Sequence, residues 1–364
     1  MDELFKKYKV LVCAGSGGVG KTTLAASLGV RAAQSGLNVL VLTIDPSLRL
    51  ANSLGLSRDS DEDTFVPGQN YSGKLYGALL NSKKTFDEFV KESATKPGVY
   101  ERVMKNRLYI QLSTKLSGSQ EFTALQRLYK SVESGKYDLV ILDTPPTKHA
   151  VDFLRAPQKL YSLFQDSIIR WFINANEQSK SVFSIFAAKV QTFNILKKVT
   201  GSDFIIHLVD FFEAVQGWQE KVRDRTIEVQ RLLAGPDTSF VLISSFDVNK
   251  IDEADYFYRE LKKGGYRLSA IILNRALPMW LTDGGVKGNK LVNQELQENY
   301  DKLVSYYEVI CEFYERRKLA FNDFKKTIDE EIVVLQVPDF NQDICGLPDL
   351  ENLSDVAMGR AGDK

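Results

Sequence analysis

The sequence has few cysteines, no long apolar run and no excess of either charge, and each absence excludes a class of protein. Only Cys13, Cys311 and Cys345 occur, without a CxxC pair, so we expect free thiols rather than disulfides or a cysteine zinc site. No stretch of about 18 uncharged apolar residues is present, so we expect no transmembrane helix. The charged start lacks the features of a signal peptide, which with reduced thiols favours a cytoplasmic protein.

The charge of the chain is balanced, since Lys plus Arg and Asp plus Glu each total 47 residues. Without a net field, we expect no nucleic-acid partner. Histidine is also scarce, and a lone histidine is more often structural than catalytic. Spacing alone therefore assigns no role to His149 or His207.

Short apolar runs alternate with helical patterns along most of the chain, which predicts an α/β fold with a mostly parallel, doubly wound sheet. The runs typical of strands covered on both faces are 8–14, 38–44, 107–112, 138–142, 240–244, 269–273 and 332–337. The alternation is broken over 151–233, where apolar residues recur at helical spacing. We therefore predict a single domain over 1–364 with a helical insertion at 151–233. Its apolar side chains either bury one another or expose a face to a partner.

The first run leads into Gly15-Ser-Gly-Gly-Val-Gly-Lys21-Thr22, which matches the phosphate-loop pattern GxxxxGK[ST] between a strand and a helix. Glycines are needed because backbone N–H groups must curl around phosphate oxygens, and the following helix adds its positive end. Lys21 should reach the β and γ phosphates of ATP, and Thr22 should offer its hydroxyl to Mg²⁺. Thr23 could bond the α-phosphate. The residues expected to bind the nucleotide here are Gly17, Gly18, Val19, Gly20, Lys21, Thr22 and Thr23.

Two aspartates follow apolar strands and precede proline-containing turns, Asp45 and Asp143. Ligands of parallel sheets bind at the carboxyl ends of the strands, so these two carboxylates are stronger candidates for a ligand site than carboxylates elsewhere in the chain. Asp143 fits the carboxylate that positions Mg²⁺ through its water shell. Asp45 is then available to orient the attacking water. The sequence thus predicts an ATP hydrolase with Asp45 and Lys21 as catalytic residues and Thr22, Asp45 and Asp143 at the metal.

Three segments, GSGGVGKTT, LTIDPS and LDTPPTKHAVDFLRAP, together resemble the ArsA-type anion-transporting ATPase family. That family includes arsenite-pump ATPases and the guided-entry ATPases that deliver tail-anchored membrane proteins. The resemblance covers nearly the whole chain and implies a P-loop NTPase fold, a dimer and two nucleotide-sensing switches, at Asp45 and from Asp143 to His149. It also implies an adenine site at Asn274 and Arg275, with apolar walls from Pro338 and Phe340.

The sequence departs from the family pattern at one charged position and in its cysteines. The family usually has a lysine, thought to contact the partner's nucleotide, where this chain has Ser16. A replacement cation would have to come from Arg49, from Lys148 or from a different partner subunit, so homodimer and heterodimer both remain open. The absence of a CxxC pair and of a close thiol set argues against an interfacial zinc and against arsenite binding.

The leading hypothesis is a nucleotide-switched, dimeric ATPase that handles a hydrophobic or membrane-protein client, with the insertion as a groove that opens with the nucleotide state. One alternative is a DNA-partition or cell-positioning ATPase of the ParA and MinD type, which the neutral charge and the apolar insertion disfavour. Another is a regulatory subunit of a heterodimer that binds ATP yet hydrolyses it poorly, which Ser16 suggests.

Overall fold

The structure is a computed structural model of the chain. It describes residues 1–44, 49–57, 62–94, 97–107, 109–110, 113, 119–144, 150–163, 207, 210–215, 218–276, 294–340 and 343–357. The chain divides into two compact units. The first comprises Met1–Leu79, Ser134–Val151 and Leu233–Lys364, and the second comprises Leu80–Glu133 and Asp152–Leu232.

The first unit is built on one eight-stranded sheet in the order β3-β4-β2-β5-β1-β6-β7-β8. Every neighbouring pair of strands is parallel except β3 and β4. The strands are β1 (Val10–Ala14), β2 (Asn38–Thr43), β3 (Thr64–Phe65), β4 (Lys74–Leu79), β5 (Leu139–Asp143), β6 (Thr238–Ser245), β7 (Leu268–Ala276) and β8 (Val333–Pro338). The mostly parallel α/β fold is therefore confirmed.

The described helices connect and cover these strands in the first unit and form the second. They are α1 (Asp2–Lys7), α2 (Lys21–Gln34), α3 (Arg49–Leu54), α4 (Ser82–Ser93), α5 (Val99–Lys105), α6 (Ser119–Glu133), α7 (Ala150–Leu163), α8 (Gln219–Ala234), α9 (Val248–Lys263), α10 (Gln294–Thr327) and α11 (Leu347–Ala357). In the part of the chain that the structure describes, no helix is both long and apolar enough to cross a membrane.

The strands at the centre of the sheet are apolar on both faces because helices cover both. Every residue of β1 and of β5 is buried. Helix α2 approaches the sheet closely at Gly29, where an added Cβ would lie 2.4 Å from Cγ2 of Val41. Close packing of this kind fixes α2, and with it the loop that precedes α2, against the strands.

Two parts of the strand prediction were wrong. The run at 107–112 is not a strand, since Arg107, Tyr109 and Ile110 are helical. Tyr109 is buried and its hydroxyl donates a hydrogen bond to Asp87, whereas Ile110, the next residue, is exposed, so burial here is confined to one face of a helical segment. Strands β3 and β4 were missed. Gly77 interrupts the apolar pattern of β4, and Leu56 packs closely over it, since an added Cβ would lie 2.5 Å from Cδ1 of Leu56.

The described part of the second unit is helical and has an aromatic core. Phe86 and Phe89 of α4 contact Phe122 of α6 with ring centroids 6.2 and 5.4 Å apart. Helices α7 and α8 lie in the stretch predicted as an insertion. Most of the apolar residues predicted for that insertion, from 164 to 196, lie outside the described residues, so the insertion stays a prediction.

Candidate nucleotide-binding site

The phosphate loop (15–23) joins the carboxyl end of β1 to the start of α2. Three of its glycines have left-handed backbone angles, with φ of 155° at Gly15, 78° at Gly18 and 88° at Gly20. A Cβ on Gly15 would lie 2.0 Å from the carbonyl oxygen of Ile243, so the loop starts in close contact with β6. This backbone, which other residues adopt only with strain, is the form needed to direct N–H groups at an anion.

Lys21 reaches back across the loop from the first position of α2. Its Nζ donates a hydrogen bond of 2.7 Å to the carbonyl oxygen of Ser16, and the residue is buried. No acidic residue belongs to the first turn of α2, so no carboxylate of the helix itself competes for its positive end. Lys21, Thr22 and Thr23 thus follow the glycines on the first turn of α2, where a phosphate chain would meet both charge and N–H groups.

Asp143 joins the loop to the neighbouring strand. It is fully buried at the end of β5, level with Cys13 of β1 and Thr43 of β2. Its Oδ2 accepts hydrogen bonds from Thr22 Oγ1 at 2.6 Å and from Thr43 Oγ1 at 2.8 Å. The structure therefore brings together the two residues predicted for Mg²⁺ that it describes, Thr22 and Asp143. Thr43 was not predicted, because a threonine within an apolar strand gives no signal of its own.

The oxygens of Thr22 and Asp143 form a donor set that suits Mg²⁺, which prefers hard oxygen ligands and keeps several of its waters. Among the described residues, no group of three or more His, Cys, Asp or Glu side chains is placed to hold a metal ion by itself. A cation at Thr22 and Asp143 would consequently need phosphate oxygens and water to complete its coordination.

Cys13, which is next to the loop, has a thiol of low reactivity. Burial, followed by the nearby Asp143 carboxylate, raises the pKa of its thiol far above the usual range, and Lys21 opposes this only in part. A raised pKa and full burial both disfavour the thiolate, which makes Cys13 a poor nucleophile. The adjoining backbone is fixed by Thr144, whose Oγ1 donates to the Cys13 carbonyl oxygen at 2.9 Å.

The residues predicted for adenine lie on the same edge of the sheet, at the ends of β7 and β8. Asn274 Nδ2 donates a hydrogen bond of 2.9 Å to the carbonyl oxygen of Val19, inside the phosphate loop. Arg275 is exposed and has a φ of 53°, which is uncommon for a residue other than glycine. Pro338 ends β8 and, like Phe340, is half-buried.

Some candidate residues cannot be placed. Asp45, Lys148 and His149 lie outside the described residues, and of Arg49 only the helical backbone is described. Their roles stay predictions. His207 lies in the second unit, where its carbonyl oxygen accepts a hydrogen bond of 2.8 Å from Asn106.

Comparisons with known proteins identify the family to which the chain is similar. The profile of the anion-transporting ATPase family (ArsA) matches residues 8–359. The chain is 27% identical to ATPase GET3B of Arabidopsis thaliana over 75% of its own length and 65% of that protein, just under two thirds. It is 23% identical to ATPase GET3 of Malassezia globosa over 97% of its length and 92% of that protein. It is 22% identical, over 96% of its length and 79% of the relative, to an Aquifex aeolicus protein that is named as an arsenical pump-driving ATPase.

Proposed function

The chain belongs to the anion-transporting ATPase family and is an ATPase of that family, and we propose that it binds and hydrolyses ATP on the phosphate loop (15–23). The observation that carries this assignment is the hydrogen bond of 2.6 Å between Thr22 of the loop and the buried Asp143. A hydroxyl from the loop and a carboxylate from the adjacent strand end are the pair that an ATPase uses beside the phosphates.

In this proposal the residues of the loop act on the phosphate chain of the substrate. The Lys21 amine exchanges the Ser16 carbonyl for the β and γ phosphate oxygens, where it opposes the charge that builds up on transfer. The loop N–H groups hold the same oxygens without the cost of reorganising solvent. Mg²⁺, held by Thr22 and by Asp143 through water, would neutralise phosphate charge. Asp45 is proposed to orient the attacking water.

The base is proposed to lie between the ends of β7 and β8. Asn274 uses one amide hydrogen on Val19, which leaves its amide oxygen as an acceptor for the adenine amino group. Pro338 and Phe340 offer apolar surface to the ring. Arg275 is the fourth residue proposed for this part of the site.

We further propose that two subunits meet in a nucleotide-dependent way and handle a hydrophobic or membrane-protein client. Family membership and the apolar composition of 151–233 support the dimer and the client, and the geometry of the nucleotide site does not bear on either. Sedimentation with ATP, with ADP and with a transition-state mimic tests the dimer. A mass that stays the same in all three states contradicts the switch.

The enzymatic proposal is tested by phosphate release from the purified chain. Wild type should bind ATP and hydrolyse it only with Mg²⁺, and Lys21→Ala should abolish both phosphate binding and turnover. Lys9→Ala is the matched control, because Lys9 is an exposed lysine that precedes β1 at the opposite end of the strand. A purified chain that binds neither ATP nor ADP in the presence of Mg²⁺ rules the proposal out.

A further inference from the structure

We propose that Lys250 is a phosphate-binding residue of this ATPase, which exchanges its salt bridge to Glu253 for the terminal phosphates of ATP. The inference rests on the proposed ATP hydrolysis and adds a residue to the same site. Its basis is a cavity of about 310 Å³ that lies between the start of the phosphate loop and the start of α9. Gly15, Ser16, Ser244 and Lys250 all line this cavity.

The sheet register places Lys250 beside the loop. Ala14 of β1 pairs with Leu242 of β6, so the residues that follow, Gly15 and Ser16, continue next to the end of β6. Ser244 Oγ donates a hydrogen bond of 2.8 Å to the carbonyl oxygen of Lys250. The first turn of α9 is thereby fixed to the strand that the loop packs against. Lys250 is distant from Ser16 in sequence but shares a cavity wall with it.

The Lys250 amine is paired in a way that can be exchanged. Its Nζ lies 3.0 Å from both carboxylate oxygens of Glu253, and the two side chains are 31% and 52% exposed. Ion pairs this exposed contribute little to stability, so a ligand with more charge can replace the carboxylate at small cost. The terminal phosphates of ATP carry more negative charge than one carboxylate and accept several hydrogen bonds at once.

The charges around the cavity explain why the exchange requires ATP. Asp252 and Glu253 line the cavity along with Lys250, so two acidic residues and one lysine contribute to its wall. A free anion such as inorganic phosphate gains nothing from this balance. A nucleotide that is already held by the loop and Lys21 brings its phosphates to the amine at high local concentration. Lys250 therefore acts on bound ATP and does not attract it from solution.

The test compares ATP with ADP and Lys250 with its salt-bridge partner. Lys250→Met should lower kcat by about 100-fold, less than the roughly 10³-fold or greater effect of an arginine finger, because Lys21 remains. It should weaken ATP binding and leave ADP binding unchanged. Glu253→Gln should have the opposite effect and tighten ATP binding, because it releases the amine. A purely structural salt bridge would give both variants the same sign.

Two further variants keep the test decisive. Lys263→Met is the matched control, since Lys263 is on the same helix and pairs with Glu260 at the same i,i+3 spacing, away from the cavity. Ser16→Lys in the Lys250→Met background should restore turnover, because position 16 lines the same cavity and a lysine there returns an amine to it. Mixing Lys250→Met with Lys21→Ala subunits shows whether Lys250 contacts the ATP of its own subunit or that of its neighbour. Turnover that recovers on mixing means that Lys250 acts on the ATP of the neighbouring subunit. Turnover that stays low means that it acts on the ATP of its own subunit.

The failures of the two proposals are distinguishable. If wild type hydrolyses ATP and Lys250→Met matches it in kcat and in ATP affinity, the role of Lys250 is wrong and the ATPase assignment stands. If wild type binds no nucleotide, the ATPase assignment itself fails. Retained ADP binding by Lys250→Met demonstrates that the variant is folded and makes its ATP measurements interpretable.

Discussion

The two ends of the proposed nucleotide site differ in how firmly the fold specifies them. At the phosphate end, Asp143 is fully buried and Lys21 is 7% exposed, and both are fixed by hydrogen bonds within the sheet and the loop. At the adenine end, Asn274 and Phe340 are half-buried and Arg275 is exposed. A hydrogen bond from Asn274 to Val19 joins the adenine end to the phosphate end.

This difference follows from where each end lies in the sheet. The phosphate end is formed by β1 and β5, which have strands on both sides, whereas the adenine end includes β8, the edge strand of the sheet. Central strands are covered by helices on both faces, and an edge strand is more exposed. In the proposed site, chemistry that needs a dry, fixed environment would thus lie centrally, and recognition of the base would lie where side chains have room to adjust.

The largest expected effect is at Gly15. Gly15→Ala would force a Cβ to within 2.0 Å of the Ile243 carbonyl oxygen at a left-handed φ, so the free energy of unfolding should fall by about 3 kcal/mol or more. Gly18→Ala also places a Cβ at a positive φ, 78°, but no atom lies within 4 Å of that Cβ, and it should cost about 1–2 kcal/mol. Urea unfolding measures both. Equal losses would contradict the close packing of the loop on β6.

The next effect concerns the buried carboxylate. Asp143→Asn keeps the shape and removes the charge, so kcat should fall by roughly 100-fold or more, the size expected for one preorganised electrostatic group. Asp138→Asn is the control, because Asp138 directly precedes the same strand at its opposite end, where it accepts a hydrogen bond from the Asn38 backbone. Phosphate release at saturating Mg²⁺ and ATP is the measurement. Wild-type turnover in Asp143→Asn would remove Asp143 from the site.

A smaller effect is expected where the two ends meet. Asn274→Ala should weaken ATP binding by about tenfold and reduce the preference for ATP over GTP, because one polar contact to the base is lost. Inorganic triphosphate should bind as it does to wild type, and Asn322→Ala, at an exposed asparagine of α10, should change neither. Calorimetric titration with the three ligands is the measurement. An equal loss for triphosphate would mean that Asn274 supports the loop and does not read the base.

The smallest effect is expected at the apolar wall of the adenine end. Phe340→Leu keeps apolar volume but loses a flat ring surface, so ATP affinity should fall by only about threefold, near the low end of stacking contributions. Phe65→Leu, at a half-exposed phenylalanine of the antiparallel edge strand, should leave affinity unchanged. Titration with ATP checks both variants. A loss as large as that of Asn274→Ala would make the adenine end as firmly specified as the phosphate end.

The positions of the phosphate loop and of Asp143 could be predicted from the sequence because the constraints on them are local. Continuous apolar runs predicted most of the central strands, and the glycine spacing located the loop between β1 and α2. Asp143 was recognisable because a polar residue that ends an apolar strand lies at the ligand edge of a parallel sheet. These inferences need only the order of residues along one strand or one turn.

The features that sequence reasoning missed depend on residues that are far apart in the chain. Lys250 belongs to a helix whose pattern is unremarkable, and only the pairing of β1 with β6 places it at Ser16. The bond from Asn274 to Val19 likewise joins positions that no spacing rule relates. The run at 107–112 failed for another reason, since a short apolar run fits a buried helix as well as a strand.

The protonated state of Cys13 has a practical consequence for the measurements above. Reagents that modify thiols will pass over Cys13, which is fully buried, and will reach the exposed Cys345 before the half-buried Cys311. Cys345 lies shortly after Phe340, and its backbone N–H donates to Asp349 at 2.8 Å near the start of α11. With Cys311→Ser removing the half-buried thiol of α10, a fluorophore on Cys345 would report from the segment that follows Phe340, and occupancy of the proposed base site could be followed optically.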